Sequence, residues 1–184
     1  MTFQSLEYLI FLPVVFILYW TVCRGSKTLQ NGLIVAASLV FYGWWDWRFL
    51  GLLLITAFST FFAGMWMGRT DDEKKRKWIN IVAIVLNIGI LFFFKYFNFF
   101  VQSFADAFSL FGADINVHTL KILLPVGISF YTFSALSYSI DVYQRKVEPT
   151  RDLLAYLAYV TFFPSILSGP ISRAQKQLPQ YFEK

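Results

Sequence analysis

Two neighbouring stretches decide the fold: LPVGISFYTFSALSYSIDVY over residues 124–143, and FFPSILSGPISRAQKQLPQ over residues 162–180. In the first, small, hydroxyl and acidic residues recur at steps of four, three, four and three. This spacing places them on one face of a helix, which we expect to cover residues 120–142. The members of this polar stripe are Gly127, Tyr131, Ser134, Tyr138 and Asp141.

The surroundings of the polar stripe have two interpretations. At membrane depth the stripe must face protein or water, because hydrocarbon offers no hydrogen-bond partner. It can therefore line a pocket. Alternatively, it can do no more than pack and hydrogen-bond against neighbouring helices, as Gly, Ser and Tyr often do in membranes.

The second stretch is interrupted by helix-breaking residues. Pro164 removes a backbone donor, and Gly169 with Pro170 joins a flexible residue to a rigid one. A straight spanning helix is therefore excluded, and Arg173 follows the second break closely. We predict a broken or re-entrant segment that shapes a pocket. The alternative is a plain exit turn at the membrane surface.

The composition of the chain is that of a membrane protein. Of its 184 residues, 57% are hydrophobic and 15% are charged, against about 25% charged in soluble domains. The net charge of +5 lies in clusters between apolar runs, which favours membrane topology and lipid headgroups over nucleic acid as its cause. The single cysteine, Cys23, excludes an internal disulfide framework, and no metal-ligand spacing is present.

The apolar runs predict an all-α membrane protein with about five transmembrane helices and a sixth, broken one, in a single membrane domain over residues 1–184. Residues 69–77 are predicted as a charged loop. Residues 95–111 are predicted as an interfacial helix or as the amphipathic tail of the fourth span. Gly64 and Gly68 are spaced for close helix packing. The predicted spans cover residues 6–22, 29–42, 49–67, 78–94 and 120–142.

The basic residues predict the orientation. If the loop at residues 69–77 is cytoplasmic, ten basic residues before the final segment lie inside and three lie outside. The N-terminus is then outside, and Asp141 lies near the cytoplasmic end of its helix. Arg145 follows Asp141 by one turn, which predicts an ion pair between them.

The quoted stretches resemble a signature of the membrane-bound O-acyltransferases. The likeness is strongest to the bacterial alginate O-acetyltransferase type, which is related to the D-alanyl transfer protein of teichoic acid modification. It runs nearly from end to end of the chain. The positions that carry it are residues 42–44, 94–96, 124–133, 137–138, 140–143, 162–164, 169–171, 173 and 178–180.

This resemblance implies a multi-pass enzyme of the bacterial cytoplasmic (inner) membrane. The donor would be acetyl-CoA or an acyl carrier protein, used without a resident cofactor. The acceptor would be a hydroxyl of an exported polysaccharide, alginate-like, or of a lipid-linked molecule. Tyr131, Ser134, Tyr138, Asp141, Pro164, Gly169, Pro170 and Arg173 then become candidates for a pocket or for the donor path.

The catalytic histidine of the family lies downstream of the residues present here. His118 precedes the helix of the polar stripe, in a polar loop, and does not match that position. We therefore expect the N-terminal portion of an acyltransferase that is inactive alone, with partner acetylation proteins or the missing C-terminal portion completing it. A non-catalytic membrane scaffold subunit and, less favoured, a small transporter remain as alternatives.

Overall fold

The computed structural model describes residues 6–109, 127–166 and 173–182. These residues form helices joined by turns, with no strand in the described ranges. The order is α1 (Leu6–Thr21), α2 (Lys27–Asp46), α3 (Arg48–Gly68), α4 (Glu73–Ser109), α5 (Ile128–Tyr143), α6 (Leu153–Val160), α7 (Phe163–Ile166), α8 (Ala174–Gln177) and a 3₁₀ helix (Leu178–Tyr181).

Helix α5 lies at the centre of the described bundle. It packs against α3 and α4, and α2 packs against α3 and α6. Nine of the sixteen residues of α5 are buried, whereas the sixteen residues of α1 include no buried position. The bundle is therefore organised around the helix that carries the polar stripe.

Among the described residues, two helical segments are long and apolar enough to cross a membrane, namely Arg48–Gly68 and Glu73–Phe97. Helix α1 has sixteen residues, or about 24 Å of helix, which is shorter than a hydrocarbon core of about 30 Å.

The all-helical class is confirmed for the described residues. The predicted five spans, their membrane location and the single domain stay predictions.

Helix α5 begins later than residue 120, the start predicted for the helix of the polar stripe. Gly127 has a φ of 76°, a left-handed conformation that only glycine adopts at no steric cost, and α5 starts at the next residue. A helix that continues from residue 120 through Gly127 is therefore wrong, and Gly127 is the turn before the helix. Residues 120–126 lie outside the described ranges.

The predicted charged loop at residues 69–77 is also shorter than expected, because α4 already begins at Glu73. The Asp72 carboxylate accepts a hydrogen bond from the Lys74 amide at 2.9 Å, and the Arg76 amide donates to the Asp72 carbonyl at 3.0 Å. Acidic residues stabilise a helix N-terminus through its exposed amides and dipole. Asp72 and Glu73 therefore help to start α4.

Helix α4 continues without a break to Ser109. Of the two predictions for residues 95–111, the structure favours the amphipathic tail of the fourth span. Close helix packing is confirmed for Gly64, whereas Gly68 lies close to Pro149 in the loop after α5 and not to a helix. A Cβ on Gly64 would lie 2.6 Å from Tyr138 Cε1, and one on Gly68 would collide with Pro149.

Candidate functional site

Three members of the polar stripe, Tyr131, Ser134 and Tyr138, are buried. The Tyr131 ring meets the Tyr42 ring of α2 edge to face, with centroids 6.2 Å apart. The Tyr138 ring lies 4.6 Å from the Tyr156 ring of α6. In the described structure, neighbouring helices fill the space along the stripe.

The hydroxyl of Tyr138 ties α5 to the loop that follows it. It accepts a hydrogen bond from the Thr150 amide at 3.1 Å. The close approach of Tyr138 to α3 is possible because Gly64 leaves room for the ring. A single tyrosine thus joins α3, α5 and the loop at residues 144–151.

Helix α6 adds hydroxyl groups that the sequence did not single out. The Tyr156 hydroxyl and Thr60 Oγ1 of α3 lie 2.7 Å apart, and the Tyr159 hydroxyl donates to the Ser134 carbonyl at 3.0 Å. Both tyrosines are essentially unexposed. The short apolar run at residues 153–163 places them three residues apart, on one helix face, but this spacing does not show which helix they meet. Only the fold reveals their contact with the stripe.

Two buried hydroxyls on α5 lack a hydrogen bond of good geometry within the described part of the chain. They belong to Tyr131 and Thr132. Buried polar groups are usually paired, so these two residues mark the part of α5 where further polar contacts would be most favourable.

Asp141 is half-buried near the end of α5. The predicted ion pair with Arg145 is wrong, because Arg145 binds Glu73 of α4 instead, at 2.8 Å. Arg145 has a φ of 59°, which turns the chain away from the helical path that a one-turn pair requires. The Asp141 backbone carbonyl accepts a hydrogen bond from the Lys146 amide at 2.9 Å.

The broken segment is described only in part. Pro164 is the second residue of α7, where the missing donor is tolerated because first-turn amides have no partner inside the helix. It lines a groove against α1. Arg173 is exposed and precedes α8, whose Ala174 amide donates to Ser137 Oγ of α5 at 3.1 Å. Gly169 and Pro170 lie outside the described residues, so their predicted role stays a prediction.

Arg76 is a buried charge among the described residues, and it falls in the run at residues 69–77 that the sequence predicts as a charged loop. It is 6% exposed. Its guanidinium donates to the Met67 carbonyl at 2.6 Å, to the Val142 carbonyl at 2.9 Å and to the Tyr143 carbonyl at 3.2 Å. The last carbonyls of a helix lack partners within it, so Arg76 caps α3 and α5 together.

The described residues contain no group of three or more His, Cys, Asp or Glu side chains placed to hold a metal ion. His118 lies outside the described residues. The described site therefore consists of a buried hydroxyl network on α3, α5 and α6, closed at one end by Arg76. This arrangement can position helices and a polar path, and none of the described side chains is assigned to proton transfer.

Comparison with known proteins finds relatives along almost the whole chain. A protein named "Probable alginate O-acetylase AlgI" from Azotobacter vinelandii is 35% identical over 184 residues, covering 98% of this chain and 36% of that protein. The protein of the same name from Pseudomonas aeruginosa is 36% identical, covering 98% of this chain and 34% of its own length. A peptidoglycan O-acetyltransferase from Helicobacter pylori is 28% identical over 201 residues, covering 95% of this chain and 37% of that protein.

No family profile and no solved structure matches the chain. The chain spans about a third of the length of the curated relatives that it matches. The end-to-end similarity confirms the resemblance that rests on residues 124–143 and 162–180. The chain is therefore similar, along almost its whole length, to the bacterial alginate O-acetylases, and this similarity agrees with its resemblance to the membrane-bound O-acyltransferases.

Proposed function

We propose that this chain forms the N-terminal portion of a membrane-embedded O-acetyltransferase that modifies an exported, alginate-like polysaccharide. The observation that carries the proposal is the 35% identity to an alginate O-acetylase over nearly the whole chain. In the proposed reaction the acetyl C–S bond of a thioester donor breaks and a C–O bond to the acceptor forms. The hydroxyl proton passes through a general base to the leaving thiolate.

The role proposed for the described residues is to hold the scaffold and the donor path. The hydroxyl network on α5 and α6 offers polar contacts in an otherwise apolar interior, and Arg76 closes the end of that network. The base is proposed to lie in the remaining two thirds of the protein, as the family resemblance implies. We therefore expect the chain alone to transfer no acetyl groups.

A chimera tests this function. The chain replaces the matching third of the Azotobacter vinelandii relative, in cells that lack that relative. We expect ester-bound acetate on alginate to return, measured by proton NMR of the purified polymer. The matched controls are the chain alone and the remaining two thirds alone, both of which should give none. A chimera that is present in the membrane but yields no acetate would contradict the proposal.

Related measurements distinguish the proposed function from a different acceptor, a scaffold subunit and a small transporter. Acetate on peptidoglycan instead of alginate would point to the acceptor named in the Helicobacter pylori relative. A scaffold subunit predicts that an unrelated acyltransferase needs this chain for activity, while the chimera itself stays inactive. A small transporter predicts solute uptake into vesicles that contain only this chain.

The proposed location is the cytoplasmic membrane of a bacterium, with several spans and the N-terminus outside. Large apolar side chains are exposed along α1 and α4, which fits contact with lipid. The helix ends joined by Arg76 belong to the same end of the bundle as the basic run at residues 69–77, which the charge rule places in the cytoplasm. Labelling tests this on a Cys23→Ser background. A membrane-impermeant thiol reagent should spare Lys75→Cys in intact cells and label it in inverted vesicles, whereas the opposite pattern would reverse the topology.

A further inference from the structure

A groove of about 440 Å³ runs along the outer side of the hairpin that α3 and α4 form. Phe62 of α3 and Val82 and Leu86 of α4 line it and are exposed, so the groove opens away from the described bundle. Its lining is aliphatic and aromatic apart from Ser59. Such a groove offers contact to an apolar chain and little to a polar ligand.

The groove extends along the helix axes from a pair of tryptophans. Trp66 and Trp78 lie at one end, and Ser59 and Leu86 line the other. At a rise of about 1.5 Å per residue, these two levels are about 10–12 Å apart. Tryptophan is enriched where a membrane meets water, and both side chains are more than half exposed. The groove therefore leads from the predicted membrane surface toward the membrane interior, parallel to the lipid chains.

The polar group at the inner end of the groove already has partners within the protein. The Ser59 hydroxyl donates to the Thr56 carbonyl at 3.0 Å and accepts a hydrogen bond from Asn87 Nδ2 at 3.0 Å. Asn87 is unexposed and also donates to the Ala83 carbonyl at 2.8 Å. The inner end therefore needs no hydrogen bond from a ligand, which suits methylene groups.

Two cations lie about one helical turn beyond the tryptophans. Arg69 follows Trp66 by three residues and keeps helical backbone angles, with a φ of −90° and a ψ of −6°. Lys75 precedes Trp78 by three residues and Ile79 by four within α4. Residues at these spacings are neighbours on one helix face. Arg69 and Lys75 are therefore placed at the outer mouth of the groove.

Two acids of the same charged run are engaged in other contacts. The Glu73 carboxylate accepts a hydrogen bond from Arg145, in the loop after α5, at 2.8 Å. The Asp72 carboxylate accepts the Lys74 amide at 2.9 Å and so caps α4. Its other oxygen is 3.9 Å from Lys75 Nζ, which is too long for a hydrogen bond. Lys75 is therefore free to bind an anion at the mouth of the groove.

We propose that this groove holds one acyl chain of an anionic phospholipid, whose phosphate is bound by Arg69 and Lys75. The two cations outnumber Asp71, the remaining acid of the turn, and Arg69 has no acidic partner in the described ranges. The apolar chain by itself distinguishes no lipid from another, because lipid tails are all apolar. The preference for an anionic headgroup therefore comes from the cations, as in other basic segments at a membrane surface. The proposal needs the membrane location but not the acetyltransferase function.

Quenching of tryptophan fluorescence by brominated lipid tests the proposal. In the full chain, the other four tryptophans are changed to phenylalanine, so that only Trp66 and Trp78 report on the groove. The chain is placed in vesicles of phosphatidylcholine and phosphatidylglycerol, with bromine on the acyl chains of one lipid or of the other. The two quenching curves give the affinity of the groove for phosphatidylglycerol relative to phosphatidylcholine. The changed positions are Trp20, Trp44, Trp45 and Trp47.

We expect phosphatidylglycerol to be preferred by about tenfold, because each basic residue near the surface strengthens the binding of anionic lipid several-fold. Lys75→Gln should lower this preference several-fold, and adding Arg69→Gln should leave almost none. The matched control is Lys77→Gln. It removes the same charge two residues away, from an exposed position on the opposite face of α4, and should keep the preference.

A second pair of variants tests the place of the acyl chain. Val82→Phe fills the groove at an exposed lining position, whereas Val85→Phe places the same ring on α4 at a similarly exposed position outside the lining. We expect Val82→Phe to remove most of the preference for phosphatidylglycerol and Val85→Phe to leave it unchanged. Protection of the buried Cys23 from a thiol-reactive dye shows that each variant is folded.

Four results would overturn the proposal. An equal loss of preference in Lys75→Gln and Lys77→Gln would mean that the general charge of the surface attracts the lipid. Equal quenching by the two lipids would make the groove an ordinary lipid contact. Quenching by neither lipid would show that protein, such as a second copy of the chain, covers the groove. An unchanged preference in Val82→Phe would show that the acyl chain lies elsewhere.

Discussion

Helices α1 and α5 have the same length of sixteen residues but opposite places in the molecule. The sequence of α1, LEYLIFLPVVFILYWT, is almost wholly apolar, and none of its residues is buried. The sequence of α5, ISFYTFSALSYSIDVY, is rich in hydroxyl groups, and nine of its residues are buried. The more polar helix is therefore the central one.

This arrangement differs from that of a soluble bundle, in which the most apolar helix would be the core. In a bilayer, lipid is as apolar as leucine, so burying apolar side chains between helices gains little. Hydroxyl groups, by contrast, need partners that only other helices provide. The comparison teaches that contacts between polar groups and close approaches at glycine organise this bundle.

The following predictions test this conclusion. In each, the free energy of unfolding is measured in detergent from the rate at which a thiol-reactive dye labels the buried Cys23.

The largest effect is expected for Arg76→Leu. The substitution removes three hydrogen bonds from a charged donor to the carbonyls that end α3 and α5. Since hydrogen bonds to charged groups contribute about 1.5–3 kcal/mol each, we expect the free energy of unfolding to fall by about 3 kcal/mol or more. Lys77→Leu, at the exposed next residue, is the control and should change it by less than about 0.5 kcal/mol. Equal effects of the two variants would show that the hydrogen bonds of Arg76 do not stabilise the ends of α3 and α5.

A smaller loss is expected for Gly64→Ala. The new Cβ would lie 2.6 Å from Tyr138 Cε1 and 2.7 Å from its hydroxyl, so α3 and α5 must move apart. Overpacking of this kind costs about 1–3 kcal/mol of unfolding free energy. Gly89→Ala in α4, where a Cβ meets nothing within 4 Å, is the control and should stabilise the chain by up to about 1 kcal/mol. A Gly64→Ala variant that is as stable as the Gly89→Ala variant would contradict the close contact.

The hydrogen bond between Thr60 and Tyr156 should give a measurable coupling energy. The two hydroxyl oxygens are 2.7 Å apart and both residues are unexposed. In a double-mutant cycle of Thr60→Val and Tyr156→Phe, we expect a coupling of about 1 kcal/mol in the free energy of unfolding. Additive losses, with no coupling, would mean that these residues stabilise α3 and α6 by packing alone.

The smallest effect is expected for Leu9→Ala in α1. Leu9 is 70% exposed, so shortening it opens no cavity in the bundle. We expect a change within about 0.5 kcal/mol. The contrasting variant is Leu53→Ala in α3, which is 0% exposed and should cost about 2–5 kcal/mol through the cavity that it leaves. A large loss of unfolding free energy for Leu9→Ala would contradict the comparison, because α1 would then stabilise the bundle as α5 does.

Sequence reasoning identified the polar stripe and the close helix contact at Gly64 because both depend on spacing within one helix. It misplaced the start of α5, since nothing in the pattern shows that Gly127 turns left-handed. It also assigned Arg145 to Asp141, one turn away, although the structure pairs it with Glu73, 72 residues earlier. The spacing of residues within one helix can be read from the sequence. Which of two acidic residues an arginine pairs with cannot be read in this way.

The sequence by itself determined the helical class, which follows from apolar periodicity, and the family resemblance, which follows from residues 124–143 and 162–180. Only the tertiary structure decided that Arg76 is buried and that α6 supplies tyrosines to the stripe. Arg76 meets the Val142 carbonyl across 66 residues, and Thr60 meets Tyr156 across 96. Contacts at such separation depend on how whole helices pack, which no local pattern of side chains specifies.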